Sequence, residues 1–451
     1  MDFTLLDKYN VPAPRYTSYP TVPYWQEETA PGEKAWQQHV INAVNRNREI
    51  SLYVHLPYCE SLCTYCGCNK RITKNHQVES SYIDSVLREW SLYLQLFPER
   101  PVLRELHLGG GTPTFFSPAN LERLVQGILK RVELPKQYEF GFEAHPGSTT
   151  HEHLRVLREL GFRRLSIGVQ DFAPEILEII NRHQSLEQVQ EVTQWARDLG
   201  YRSINYDLIF GLPLQTKEHI RKTVSTLESL RPERIAFYSY AHVPWIKPSQ
   251  RAYSEADLPR GKEKRALYEL GRELLEASGY IEIGMDHFAL PHDSLYQAME
   301  NGTLHRNFMG YTPFFTRLSI ALGASGISDS WDAYIQNEKQ IETYRERVGR
   351  GELPIMRGHR LSEEDEILRT HILRLMCRFH TQWADPAEQC PALFEGLERM
   401  EELESDGLVT RYDKRVEVTE RGRPFLRNIC MALDGRYWRR QPEGKLFSQV
   451  V

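Results

Sequence analysis

From residue 50 onward, apolar strand-like segments alternate with segments of helical periodicity. The strand-like segments are SLYVHLP, VLRELHL, YEFGFEAHP, RRLSIGVQ, RSINYDLIFGLP and RIAFYSYAHVP, and they are separated by helical patterns such as PANLERLVQGILKRV. Six strand–helix units up to about residue 280 predict a parallel sheet. A sheet of this kind indicates an open or closed α/β barrel, with a doubly wound sheet as the alternative.

Polar residues fall at the carboxyl ends of these predicted strands. They are the glycine-rich turn 109–112, Glu143, Gln170, Asp171, Asp207, Tyr240 and His242. A single polar residue at a strand end is expected wherever a strand emerges into solvent. Six in register are typical of the active-site face of a βα barrel, so we expect the functional site at this end of the sheet.

Three cysteines follow the first strand, in the segment YVHLPYCESLCTYCGCNK. Cys59, Cys63 and Cys66 have the spacing C-x3-C-x2-C. A [4Fe–4S] cluster is normally held by four cysteines. Three cysteines on one short loop would leave one iron free to bind another molecule.

Two other interpretations of the cysteine loop are open. Cys68 supplies a fourth sulfur, so a structural zinc site is possible, although the second pair of ligands that such sites usually have is missing. Disulfides are disfavoured because the chain has seven cysteines, an odd number, and four of them lie within ten positions. Cys68 is interpreted either as a fourth ligand or as a neighbour of the substrate. Cys377, Cys390 and Cys430 lie in apolar helical patterns and are expected to be buried thiols.

The cysteine segment resembles the signature of the radical S-adenosylmethionine (SAM) enzymes. The whole chain resembles one family of them, the oxygen-independent coproporphyrinogen III oxidases, also called coproporphyrinogen dehydrogenases. The matching segments run nearly end to end and are KYNVPAPRYTSYPT, LHLGGGTPT, RLSIGVQDF, NYDLIFGLP, YAHVP, GMDHFA, LHRNFMGYT and RNICMALD.

The resemblance implies a fold and a division of the chain. The fold would be α/β, a partial (β/α)6-type radical SAM barrel with a mainly helical, winged-helix-like C-terminal domain. The implied divisions are an N-terminal arm over residues 1–48, the barrel with its extension over 49–355, and the C-terminal domain over 356–451. Helical patterns at about 362–379 and 388–406, a hairpin in GLVTRYDKRVEVT and a helix through ERGRPFLRNICMAL agree with this division.

The resemblance also implies a reaction of anaerobic haem synthesis. Two propionate side chains of coproporphyrinogen III would be oxidatively decarboxylated to vinyl groups, giving protoporphyrinogen IX. A [4Fe–4S] cluster and two SAM molecules would be the cofactors, and a deoxyadenosyl radical would take a hydrogen from the substrate. No side chain is needed as a general acid or base, and an electron donor and an electron acceptor would be further partners.

The family's site residues carry over to matching positions of this chain. Cys59, Cys63 and Cys66 would hold the cluster. The SAM bound to the cluster would contact Tyr53, Gly110, Glu143 and Ile327. A second SAM would contact Tyr65, Gly111, Thr112, Gln170, Arg182, Asp207 and Ala241. Arg15, and less strongly Arg306, would bind substrate carboxylates.

The sequence departs from the family pattern at three places. Ala13 replaces a usual glycine, and the segment EAHP, residues 143–146, replaces a usual Glu-Val-Asp-Pro. After Thr312, residues 313–317 read PFFTR, where the family tends to have Thr-Gln-Gly and then an aspartate. This last block lies near the SAM and substrate pocket in the family, so we expect the change to alter the handling of substrate or electron acceptor.

Two alternative functions stay open at this point. One is a related radical SAM enzyme acting on another tetrapyrrole, such as anaerobic haem breakdown with methyl transfer. The other is a haem-binding chaperone of the same superfamily, although HRNFMGY does not match the His-Asn-x-x-Tyr-Trp motif of those relatives.

Composition excludes several classes of protein. The 451 residues carry a net charge of −5, which does not favour binding to nucleic acid or to membranes, even though Arg421, Arg423 and Arg427 cluster near the C-terminal hairpin. The start MDFTLLDKYN is not a secretory signal, and no run approaches the roughly 18 apolar residues of a spanning helix. We expect a cytoplasmic protein, and a monomer.

Overall fold

The computed structural model describes residues 3–25, 30–441 and 447. Its strands are β1 (Glu49–Leu56), β2 (Tyr58–Cys59), β3 (Arg71–Ile72), β4 (Val102–Gly110), β5 (Glu139–Ala144), β6 (Arg164–Gln170), β7 (Ser203–Phe210), β8 (Arg234–Ser239), β9 (Ile281–Gly284), β10 (His287–Ala289), β11 (His305–Asn307), β12 (Gly310–Thr312), β13 (Leu318–Leu322), β14 (Ile327–Asp329), β15 (Ala333–Asn337), β16 (Ile355–Arg360), β17 (His380–Gln382), β18 (Val409–Tyr412) and β19 (Arg415–Val418).

The helices lie between these strands and at both ends of the chain. They are α1 (Phe3–Tyr9), α2 (Glu33–Arg46), α3 (Val78–Leu94), α4 (Pro118–Leu129), α5 (His151–Glu159), α6 (Pro174–Ile179), α7 (Leu186–Asp198), α8 (Lys217–Leu230), α9 (Gly261–Ala277), α10 (Ser294–Glu300), α11 (Ile341–Gly349), α12 (Glu363–Arg378), α13 (Pro391–Ser405), α14 (Leu426–Ala432) and α15 (Gly435–Arg439). None of the helices in the described ranges is both long and apolar enough to cross a membrane.

One twelve-stranded sheet forms the centre of the molecule. Its strand order is β16-β15-β14-β13-β1-β4-β5-β6-β7-β8-β10-β9. Strands β1 and β4 to β8 lie side by side in chain order and pair in parallel, as the six predicted strand–helix units require. A doubly wound sheet would reverse its strand order at the centre, so the consecutive order confirms the predicted α/β barrel type, here open at both edges.

The parallel strands have one apolar face and one polar face. On β1, Ile50, Leu52 and Val54 are fully buried and belong to the core between the sheet and its helices. Side chains alternate along a strand, so Ser51 and Tyr53 point to the opposite face, which is the interior of the barrel. The interior therefore contains hydrogen-bonding and charged side chains rather than a second apolar core.

Side-chain caps explain where several of the outer helices begin. Thr150, Ser185 and Thr216 accept a hydrogen bond from the backbone N–H three residues later at the starts of α5, α7 and α8. The predicted start of α12 is confirmed, because Ser362 and Asp365 form a reciprocal capping box. These caps fix the loop that follows each strand, and the loops after the strands carry the site.

A second apolar core joins the N-terminal arm to the C-terminal segment. Tyr16 and Tyr19 of the arm belong to the same buried cluster as Ile372 of α12 and Ile429 of α14. Arg427 is 5% exposed and donates hydrogen bonds to the backbone carbonyls of the arm, at residues 13 and 14. The arm is therefore packed on the C-terminal segment along the face that borders α9.

The C-terminal segment contains the predicted hairpin, formed by β18 and β19 with β17 on its other edge. The predicted last helix begins later than expected, because Gly422 and Pro424 lie in a turn and a short 3-10 helix that precede α14. Cys377, Cys390 and Cys430 are buried free thiols, as expected. The domain boundaries and the winged-helix likeness stay predictions.

Candidate active site

The cysteine loop connects β2 to β3 at the carboxyl end of β1. Two hydrogen bonds to the segment after α6 hold it in place: the backbone N–H of Thr64 donates to the carbonyl of Ile180 at 3.0 Å, and the side-chain amide of Asn181 donates to the carbonyl of Leu62 at 2.7 Å. All four cysteines of the loop are free thiols. The sulfurs of the loop are thus presented at the end of the sheet where the sequence predicts the site.

A cavity of about 510 Å³ lies at this end of the sheet. Its wall contains Cys59, Cys63, Cys66 and Cys68 together with side chains from the carboxyl ends of β4 to β8. The predicted site residues among them are Tyr65, Gly110, Gly111, Thr112, Glu143, Gln170, Arg182 and Asp207.

The cysteine thiols have polar and cationic neighbours that suit thiolate ligands. Nη1 of Arg182 lies 3.6 Å from Sγ of Cys63, and Oγ1 of Thr112 lies 3.3 Å from Sγ of Cys59. A hydrogen bond from Cys68 lowers the pKa of Cys66 to about 5, whereas burial raises the pKa of Cys59 to about 11. Three cysteines on one cavity wall, with a buried guanidinium beside Cys63, fit the donor set of a [4Fe–4S] cluster.

Glu143, near the end of β5, projects into the cavity with 41% of its side chain exposed. Its Oε2 accepts a hydrogen bond from the Gly110 N–H at 3.1 Å, and its Oε1 lies 3.4 Å from Nε2 of His107. Burial alone would raise the pKa of this carboxyl, but the hydrogen bonds from His107 and Gly110 outweigh burial and lower it. Glu143 is therefore an ionised acceptor facing the cavity.

Asp207 on β7 is a second carboxyl in the cavity wall, with the opposite shift. It accepts hydrogen bonds from the Ser166 hydroxyl at 3.0 Å and from the Asn205 amide at 2.9 Å. Burial, followed by the charge of Glu143, raises the pKa of Asp207 to about 7. The cavity thus holds one ionised carboxylate and one carboxyl that titrates near neutral pH.

Interior glycines leave the space that these charged side chains occupy. A Cβ atom at Gly109 would lie 2.8 Å from Oε1 of Glu143 and 2.8 Å from a ring carbon of Tyr53. A Cβ at Gly168 would lie 2.9 Å from Nη2 of Arg182. At these two positions the close approach of charged groups, rather than a turn, requires glycine.

Five predicted contact residues do not line this cavity. Tyr53 packs behind Glu143, with its ring stacked on His107 at 6.0 Å, and Arg306 lies over the ring of Tyr311 at 4.6 Å. Arg15 lines a separate small cavity near α9, where it donates to the carbonyl of Ser239 at 3.2 Å. Ala241 lies in the loop after β8, and Ile327 begins β14 on the extension of the sheet.

Three polar residues at strand ends have structural partners away from the cavity. The Asp171 carboxylate accepts hydrogen bonds from the Gln215 amide at 2.7 Å and from the Ala173 N–H at 2.8 Å. The Tyr240 hydroxyl lies 3.0 Å from Nδ1 of His242. The expectation that all the strand-end residues share one site is therefore wrong for these three.

The altered loop at 313–317 lies at the other end of the barrel. The Thr316 hydroxyl is 2.7 Å from the Ser51 hydroxyl, and the Arg104 guanidinium lies over the Phe314 ring at 5.3 Å. Ser51 and Arg104 stand near the amino ends of β1 and β4. The prediction that this loop borders the SAM cavity is wrong, because the chain enters β13 from the amino end of the sheet.

Several cavity residues were missed by the sequence analysis. They are Lys70, Lys74, His145, His183 and Tyr238. His145 belongs to the departure EAHP, so that departure, unlike the one at 313–317, does change the cavity wall. Burial, with the charges of Arg182 and His183, lowers the pKa of His145 to about 3 and keeps its ring neutral. Tyr238 stands next to the last residue of β8, where the strand-end rule would have found it.

Known proteins resemble this chain along its whole length. Residues 53–227 match the family model of the radical SAM superfamily. Relatives named oxygen-independent coproporphyrinogen III oxidase from Escherichia coli strain K12 and Pseudomonas aeruginosa are 39% and 37% identical, with 100% and 96% of this chain and 98% and 95% of the relatives covered.

A solved structure has the same fold. It is described as "Coproporphyrinogen III oxidase (HemN) from Escherichia coli is a Radical SAM enzyme" and has a TM-score of 0.89 at 37% identity, covering 96% of this chain and 98% of that one. The resemblance seen in the sequence motifs is confirmed by these matches. The chain belongs to the oxygen-independent coproporphyrinogen III oxidases of the radical SAM superfamily.

Proposed function

We propose that this chain catalyses the oxidative decarboxylation of two propionate groups of coproporphyrinogen III to vinyl groups, giving protoporphyrinogen IX in haem biosynthesis. One observation carries the proposal: the cysteines of the C-x3-C-x2-C loop line the same cavity as Glu143 and Asp207, in a chain that matches its named relatives from end to end. The names of those relatives do not favour haem breakdown or a chaperone role.

The superfamily implies a [4Fe–4S] cluster and SAM as cofactors. Bound together, they supply abstraction of a hydrogen atom from an unactivated carbon. Cys59, Cys63 and Cys66 would hold the cluster. Each decarboxylation also releases one further electron, so the reaction needs an electron acceptor as well as the donor that reduces the cluster.

The carboxylates and glycines of the cavity suit the polar groups of SAM. Glu143 is ionised and would accept a hydrogen bond from an ammonium or hydroxyl group. Asp207 and Gln170 offer further acceptors on neighbouring strands, and Gly110 and Gly111 let the backbone approach closely. Because two carboxyls on different strands face one cavity of about 510 Å³, we include a second SAM in the proposal.

Substrate carboxylates need cations outside the cluster site. Arg15 lies in the arm with its Nη1 3.6 Å from the Asp286 carboxylate, and 32% of its side chain is exposed. Nζ of Lys264 on α9 donates to the carbonyl of Tyr240 at 2.9 Å, and its pKa is lowered to about 8 by burial and by the charge of Arg15. These two cations lie beside the end of β8, and Tyr238 of the same strand lines the cavity. The position of these two cations beside a strand that borders the cavity supports Arg15 as a contact for a propionate.

The test is an anaerobic assay of the protein with a reconstituted cluster. SAM, a reductant and coproporphyrinogen III are supplied, and 5′-deoxyadenosine and vinyl products are followed by mass spectrometry. We expect both products, and we expect Cys63→Ala to abolish both. Cys390→Ala is the matched control, because Cys390 is a buried thiol at the start of α13, outside the cavity, and it should keep both products.

The other outcomes separate the parts of the proposal. Deoxyadenosine without a decarboxylated porphyrinogen would retain the radical chemistry and reject the substrate. If protein with a full cluster forms neither product, the enzymatic function is rejected.

Arg15→Ala should raise the KM for coproporphyrinogen and leave SAM affinity unchanged.

A further inference from the structure

A chain of polar side chains runs through the barrel interior to Glu143. Arg164 on β6 lies at its centre, with Nη2 at 3.2 Å from Nδ1 of His107 on β4 and Nε at 2.9 Å from Oε1 of Glu139 on β5. The other ring nitrogen of His107, Nε2, lies 3.4 Å from Oε1 of Glu143. On the other side of Arg164, Oε2 of Glu139 lies 3.5 Å from Nη2 of Arg234. This series of contacts therefore starts from ion pairs at the amino end of the sheet.

The chemistry of arginine determines the tautomer of His107. A guanidinium group donates hydrogen bonds and accepts none. Nδ1 of His107 must therefore be the acceptor toward Arg164, and the ring carries its hydrogen on Nε2. That N–H faces Oε1 of Glu143, while Oε2 accepts from the Gly110 N–H at 3.1 Å. Both carboxylate oxygens of Glu143 are thereby held by N–H donors.

The sheet leaves space for this chain of contacts at two glycines. A Cβ at Gly141 would lie 3.0 Å from both Nε and Nη2 of Arg164, and a Cβ at Gly109 would lie 2.8 Å from Oε1 of Glu143. His107 itself has only 9% of its side chain exposed. The contact between Arg164 and His107 is partly buried and needs a glycine beside it, since a larger residue at Gly141 would displace the guanidinium.

We propose that His107 and Arg164 are positioning residues that hold the Glu143 carboxylate ready for the ammonium or hydroxyl group of a sulfonium amino-acid cofactor. Arg164 acts through His107, and His107 acts through Glu143. The choice of SAM as that cofactor rests on the proposed function. The two positioning residues lie beneath the cavity wall and are absent from its lining.

The experiment measures the affinity of the reconstituted protein for SAM by anaerobic equilibrium dialysis, without porphyrinogen. His107→Leu removes the donor to Glu143 and should weaken SAM binding roughly ten- to a hundredfold, the usual range for a hydrogen bond to a charged group. Arg164→Met should weaken it by roughly tenfold, and Arg164→Lys, which keeps a donor and the charge, by less.

A double-mutant cycle separates positioning from general destabilisation. Because Arg164 acts through His107, the double variant should bind SAM no more weakly than His107→Leu alone. Additive losses would overturn the proposal, as would unchanged SAM affinity in His107→Leu. Gly141→Ala pushes on Arg164 without removing any hydrogen-bonding group, so it should also weaken SAM binding. That variant and Arg164→Lys decide the question if His107→Leu fails to fold.

His153→Leu is the matched control. His153 is a buried histidine that caps α5 and contacts the carbonyl of Phe116, outside the cavity. Its loss should lower thermal stability and leave SAM affinity unchanged. Since porphyrinogen is absent from the binding assay, a protein that shows the coupled SAM losses but never decarboxylates the substrate would keep this inference and reject the proposed function.

Discussion

The two ends of the parallel sheet carry similar charged side chains and use them differently. At the amino end, Arg234 is ion-paired with Asp293 at 2.6 Å, and the Asp293 side chain is 1% exposed. At the carboxyl end, Glu143 and Asp207 are held by neutral donors and face a cavity. We call the amino end of the sheet the closed end and the carboxyl end, with its cavity, the open end. The charged side chains of the closed end pair with one another, whereas those of the open end remain available to a ligand.

The largest expected effect tests the closed end. Arg234→Met would leave the Asp293 carboxylate buried without its guanidinium partner, and breaking a buried pair costs about 3–5 kcal/mol. We expect a clear fall in the thermal unfolding midpoint, measured by calorimetry. Arg155→Met is the control, because its pairs with Glu152 and Glu159 are exposed on α5 and should matter little. Equal destabilisation by the two variants would contradict the role assigned to the closed end.

The next effect tests the open end. Gly109→Ala would place a methyl group 2.8 Å from Oε1 of Glu143 and from the Tyr53 ring, and overpacking of this kind costs about 1–3 kcal/mol. We expect SAM affinity and deoxyadenosine formation to fall roughly tenfold or more, and the unfolding midpoint to fall by a few degrees. Gly349→Ala, at the end of α11 and outside the cavity, meets nothing within 4 Å and should keep SAM affinity, deoxyadenosine formation and the midpoint. A loss in both variants would point to a general sensitivity to added methyl groups rather than to the contact with Glu143.

The open end could be predicted from sequence only in part. Glu143, Gln170 and Asp207 were predicted because each stands at or near the end of an apolar strand, and parallel strands bring such positions together. His107 was missed because it lies inside the strand, in LHLGGG, where one histidine on an interior face gives no separate signal. Its contact with Arg164 joins residues 57 positions apart, and only the register of β4, β5 and β6 brings them together.

The closed end could not be located from sequence. Placing the loop 313–317 requires knowing that β13 pairs in parallel with β1, with Leu318 opposite Ile50, so that the loop enters at the amino end. No local pattern specifies that β13 inserts between β14 and β1, or in which direction it runs there. Asp171 was misassigned for a related reason: Gln170, before it, adopts a left-handed conformation with φ 68°, which ends the alternation of side chains.

The smallest expected effect compares one carboxyl from each end. Burial is the main cause that raises the pKa of both Asp207 and Glu105 to about 7; Glu105 accepts hydrogen bonds from Ser51 and Thr312 near the closed end. An acid whose pKa is raised by folding binds its proton more tightly in the folded state. Its contribution to stability is therefore full below the ordinary pKa near 4 and is lost as pH rises through about 7.

Asp207→Asn and Glu105→Gln should therefore each reduce the decline in the free energy of unfolding between pH 5 and pH 8, by about 1–2 kcal/mol once solvent in the cavity is allowed for. The two variants should differ in function. Asp207→Asn removes a carboxylate from the cavity and should weaken SAM binding at pH 8, where the wild-type group is ionised, whereas Glu105→Gln should leave SAM binding unchanged. Weaker SAM binding in Glu105→Gln would contradict this difference. It would mean that a carboxyl near the closed end affects the cavity without taking part in the contacts from Arg164 through His107 to Glu143.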